Sequence, residues 1–152
     1  MLRIDRRISI ILSYIFCALA FFGVLGLAIM LPFFRNANVP FLANQDRFGV
    51  WGYLLEYAIL ALVLVATFCL VLLLNNVRGG AIFTSSSVGY LRIISWASIL
   101  AGTLAIPLCF LIEWNMLLPV AFVGLFLGIV LRVVKNVIEE GTALKEENDS
   151  TI

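Results

Sequence analysis

Four uninterrupted apolar runs, at about 8–34, 52–74, 90–112 and 116–138, constrain this chain more than any other feature. Crossing a ~30 Å hydrocarbon layer takes ~20 helical residues at ~1.5 Å each, and every run reaches that length. Membrane strands are read as segments of about ten residues with alternating polarity, which these runs lack. A helix satisfies all its own amides in lipid, so four spanning helices follow. At 63% hydrophobic and 12% charged, the chain has little left for a soluble domain. The expected architecture is all-α: one polytopic membrane domain over 1–152, an antiparallel up-and-down four-helix bundle with a short polar tail at 139–152. The first part of that tail is expected to extend the fourth helix into water, and its last residues to be disordered in isolation.

Charge orients the bundle. Arg3, Arg6, Arg7, Arg78, Arg92, Arg132, Lys135 and Lys145 fall before the first run, between the second and third, or near and beyond the end of the fourth. Only Arg35 and Arg47 fall on the opposite side. Basic residues in short loops stay cytoplasmic, so both termini are expected in the cytoplasm. The first run carries an Ala18-Leu19-Ala20 match to a cleavage site. It continues unbroken through Leu31, longer than a signal-peptide core, and is expected to stay uncleaved.

Small residues supply packing faces. Ala20, Gly23 and Gly26 mark the first helix, Ala97, Ala101 and Ala105 the third, and Gly124 and Gly128 the fourth. Such spacing lets helix backbones approach where lipid offers no hydrophobic contrast. Packing within the chain is the favoured use, and a homodimer face the alternative. Pro107 predicts a kink in the third helix, and Pro119 falls in the tolerant first turn of the fourth. Gly79-Gly80 permits a sharp turn, and Thr84 or a following serine is placed to cap the third helix. From Val88 the chain reads as a start that lies in the interface before crossing, with Arg92 snorkelling to the headgroups.

Chemistry is sparse. The three cysteines are isolated, there is no histidine, and no C-x-x-C occurs, so no disulfide framework, metal centre or cofactor is expected. No nucleophile–base pair or phosphate-binding glycine loop is legible, and the chain reads as non-enzymatic. No basic stretch is long enough to hold nucleic acid directly. The one ionisable residue within a span worth testing is Glu56, near the outer end of the second helix. It pairs with Arg35 or Arg47 on the structural reading; on the functional one it binds a cation or proton, as in a small transporter or immunity-type protein. The structural reading is preferred.

Two stretches carry a resemblance. Gly80-Ala81-Ile82-Phe83-Thr84 followed by Leu91-Arg92-Ile93-Ile94 is similar to the G-x-x-F-[ST]…L-R-x-I pattern of a bacterial membrane family, domain of unknown function 2975. The ending Glu140-Gly141…Leu144-Lys145-Glu146-Glu147-Asn148-Asp149-Ser150-Thr151-Ile152 resembles that family's E-G…L-x-E-E-N-D-L-T-I, with Ser150 in place of leucine. The resemblance covers nearly the whole chain and implies a small four-span protein of the bacterial inner membrane, without established activity. Its members are often encoded beside a helix-turn-helix regulator, which implies a membrane partner for a cytoplasmic transcriptional regulator. The residues expected to meet such a partner are Gly80, Phe83, Thr84, Arg92, Glu146, Glu147, Asn148, Asp149, Thr151 and Ile152. Gly80–Thr84 and Glu146–Ile152 are expected to form one cytoplasmic surface.

Overall fold

The computed structural model describes residues 6–36, 49–80, 82–111 and 117–151. They form four helices: α1 (Arg6–Asn36), α2 (Gly49–Arg78), α3 (Ser85–Leu111) and α4 (Leu117–Ser150). All four are long and apolar enough to cross a membrane. Each extends past its apolar run on at least one side. The run measures the lipid slab, whereas the helix stops only where its last amides and carbonyls find other partners.

The helices pack in chain order, α1 on α2, α2 on α3 and α3 on α4, with the α3–α4 interface the most extensive. Paired positions run in opposite directions across every interface. Tyr14 meets Asn75 and Tyr57 meets Ala28; Asn76 meets Ser87, while the earlier Ala66 and Thr67 face the later Ala97 and Ala101; Ser95 meets Gly128 and Arg92 meets Glu139. The bundle is therefore antiparallel, and α1 starts at the end where α4 finishes. That end, which also carries the α2–α3 connection, is called proximal here, and the opposite end distal.

The core sits on α3. In its most apolar stretch 39% of residues are buried, against 6% in α1. Two small-residue faces explain this. Gly102 lies so close to α4 that a Cβ there would stand 2.9 Å from the Ala121 carbonyl oxygen and the Leu125 amide nitrogen. A Cβ on Gly128 would stand 2.5 Å from Ile99 Cγ1. On another face, Ala97 and Ala101 of α3 border a shallow apolar groove with Ala66 and Thr67 of α2. The Gly124–Gly128 face is thus filled within the chain. Gly23 and Gly26 of α1 differ, since a Cβ on either would meet nothing within 4 Å.

Two sequence expectations change here. No separate interfacial segment precedes the third span: α3 is one helix from Ser85. The first part of the tail extends α4 as expected, but the helix also takes in the last residues and runs on to Ser150. Extending an existing helix avoids the nucleation cost that an isolated polar segment faces. Pro107 is accommodated inside α3, which continues past it to Leu111. Pro119 is the third residue of α4, as expected. Cys17, Cys69 and Cys109 are all buried, in separate helices, and none of them is in a disulfide.

Candidate functional site

Polar chemistry gathers at the proximal end, built from the α2 terminus upward. Gly79 donates its amide to the Asn75 carbonyl at 3.0 Å, and Gly80 donates to Val77 at 3.2 Å. Gly80 takes φ +77°, the left-handed conformation that a helix-ending glycine adopts without a Cβ penalty. Thr84 then caps α3. Its Oγ1 accepts the Ser87 amide at 3.3 Å, and its carbonyl accepts the Val88 amide at 3.2 Å.

The adjacent Asn75 and Asn76 tie three helices together. Asn75 Oδ1 accepts the Tyr14 hydroxyl of α1. Asn76 Nδ2 donates to Ser87 Oγ of α3 at 3.1 Å. Ser87 is fully buried and shares a 2.9 Å hydrogen bond with Thr84 Oγ1. The asparagine pair acts as a clasp, with one side chain for each flanking helix.

The α4 side is joined by charge and by shape. Arg92 does not reach for headgroups alone: its Nη2 lies 3.2 Å from Glu139 Oε1, and Lys135 Nζ holds Glu139 Oε2 at 2.6 Å. The Lys135 hydrogen bond, aided by the Arg92 charge, keeps the Glu139 carboxyl below its ordinary value. Solvent screens ion pairs this exposed, so they fix geometry more than they add stability. Phe83 completes the junction. Its ring lies over Gly141, so close that a Cβ on Gly141 would stand 2.8 Å from Cε1.

Between the start of α3 and the α4 extension lies an open groove of about 390 Å³, bordered by Ser85, Gly89, Arg92, Glu139, Thr142 and Glu146. Thr142 is buried, with its hydroxyl donating to the Ile138 carbonyl at 2.8 Å. Deeper, Ser95 donates to the Gly128 carbonyl at 2.8 Å across α3–α4.

The predicted interaction residues divide accordingly. Phe83, Arg92 and Glu146 meet at this junction. Gly80 and Thr84 build the turn that delivers Phe83. Glu147 and Asn148 lie on the exposed last turn, where their carbonyls accept hydrogen bonds from Ser150 and Thr151 and close the helix. The Asp149 side chain and Ile152 fall outside the described residues. Sequence reasoning does not single out Glu139, Lys135 or Asn75-Asn76. The available signal is an amide pair and a carboxylate set beside otherwise basic or apolar helix ends.

Glu56 stands apart, near the distal end of α2. It is half-buried, with Oε2 shielded from solvent. Beside it, the Tyr57 hydroxyl donates to the Ala28 carbonyl of α1 at 3.3 Å. The side chains of Arg35 and Arg47, its expected partners, lie outside the described residues. Among the described residues no group of three or more metal-ligating side chains occurs.

In comparisons with known proteins, one family of unknown function matches residues 5–152, nearly the whole chain. No curated protein and no solved structure matches it.

Proposed function

The chain belongs to the DUF2975 family of proteins of unknown function, and we propose that it serves as a non-catalytic docking protein of the bacterial cell membrane. Its proximal end, with both termini, faces the cytoplasm and receives a soluble protein, with a helix-turn-helix transcriptional regulator as the leading class of partner. One observation carries this reading. The α4 extension, Glu139–Ser150, reaches about 18 Å beyond the apolar run at ~1.5 Å per residue. It is held against the α2–α3 connection through Phe83 on Gly141, and against α3 through Arg92 on Glu139. A polar helix has no reason to be braced in this way by lipid contacts alone. Eight basic residues against two support the cytoplasmic placement.

Deleting Glu146–Ile152 tests the proposal. A pull-down of the membrane-extracted protein should lose its soluble partner on deletion. An unchanged set of partners sinks the docking role.

The burial of Glu56 Oε2 favours a second reading, transport through the bundle. Glu56→Gln distinguishes the two. A transporter loses pH-dependent flux, whereas docking at the proximal end, on the far side of the bundle, stays as it was.

A further inference from the structure

Arg132 lies inside the apolar run of α4, seven residues before Glu139, hence about 10 Å deeper than the first acidic group of the extension. Its guanidinium carbon stands 4.3 Å from the centroid of the Trp96 ring on α3. Both side chains are exposed on the outer surface of the bundle. Their helical neighbours Ile93 and Leu100 on α3, and Ile129 and Val133 on α4, are exposed apolar residues. In a bilayer, lipid is the solvent of such a surface.

Two other cations of this junction have a carboxylate partner. Arg92 and Lys135 share the Glu139 carboxylate. Arg132 makes no ion pair among the described residues. A cation at this depth needs a counter-charge, and stacking on indole is attractive without neutralising it. Stacking occupies one flat side of the guanidinium and leaves its N–H edge free, a fork that matches a phosphate. Indole rings also settle at headgroup level, where phosphates are found.

We propose that Arg132 and Trp96 form a site for the phosphate of one anionic phospholipid in the proximal leaflet. Trp96 fixes the plane of the guanidinium, Arg132 supplies charge and donors, and the flanking apolar residues receive the acyl chains. The site is independent of any soluble partner.

The test uses the full chain with Trp51→Phe and Trp114→Phe, so that Trp96 is the sole tryptophan. It is reconstituted in phosphatidylcholine vesicles containing either brominated phosphatidylglycerol or brominated phosphatidylcholine, and Trp96 quenching is read. The expected result is a preference for phosphatidylglycerol of about fivefold, the size one basic residue near an anionic leaflet carries. Arg132→Gln should bring the preference to about one, while Arg78→Gln, a charge removed at the same end, should leave it. Equal quenching by both lipids overturns the site, as does a preference that survives Arg132→Gln or falls equally with Arg78→Gln. Should Arg132→Gln fail to reconstitute, Arg132→Lys decides: a reduced preference supports the stacked fork, an unchanged one overturns it. Inorganic phosphate added to phosphatidylcholine vesicles should not alter Trp96 emission; an Arg132-dependent change would overturn lipid as the phosphate source.

Discussion

At Gly102 and Gly128 a single missing Cβ decides how closely α3 and α4 approach. The atoms facing Gly102 are backbone, Ala121 O and Leu125 N, each 2.9 Å from where a Cβ would stand, and backbone cannot rotate away. Gly102→Ala is therefore expected to destabilise the detergent-solubilised protein by about 1–3 kcal/mol, the usual range for overpacking. Gly23→Ala is the control, since nothing lies within 4 Å of that position. A thermal-unfolding comparison of the two variants checks this, and equal melting would refute the tight α3–α4 seam. Ser95→Ala belongs to the same scale. Losing its hydrogen bond to the Gly128 carbonyl should cost about 0.6 kcal/mol, the average for side-chain hydrogen bonds in a membrane bundle.

Among the elements, the α4 extension depends most on its surroundings. Glu139 has its carboxyl lowered in the fold by the Lys135 hydrogen bond, then by Lys135 and Arg92 charge. A lowered carboxyl stabilises the fold above its unfolded value and loses that contribution as pH falls through the folded value. Proteolysis of the extension should therefore accelerate only as pH drops below the ordinary 4.5, with no change above it. Arg92 and Lys135 contact this carboxylate, and Glu146 lines the same groove. Glu139→Gln should flatten this acid-dependent step. A pH profile unaltered by Glu139→Gln would show that the ion pairs do not hold the extension.

The same element shows why part of the fold was legible and part was not. The four spans follow from continuous apolar runs, because lipid imposes one requirement along the whole segment. The turn at Gly80 and the cap at Thr84 are equally local, and their residue types announce them. The helical state of Glu139–Ser150 is not local. It lacks an apolar stripe, and it is stabilised by continuity with α4 and by Phe83 and Arg92, which come from distant sequence. Pairings such as Asn75 with Tyr14, or Arg92 with Glu139, depend on how each helix is rotated about its axis. Periodicity in a nearly all-apolar span does not encode that rotation.

For the molecule as a whole, α3 is the hub, α1 is a peripheral helix held by α2, and the polar joints concentrate at one end. Small-residue faces that are ambiguous in sequence are resolved by this arrangement: Gly102, Gly124 and Gly128 serve the α3–α4 seam. The family-like motifs in the α2–α3 connection and the chain's tail are far apart in sequence, yet Phe83 and Gly141 bring them together. Paired photo-crosslinking in intact cells tests most directly whether they act as one docking surface. A photoreactive residue is placed at Phe83 in one variant and at Glu146 in another. Both positions are expected to capture the same soluble cytoplasmic protein, and Glu146 capture to be lost when Gly141→Leu displaces the Phe83 ring. Different captured proteins at the two positions, or capture at Glu146 that is indifferent to Gly141→Leu, would contradict a single docking surface.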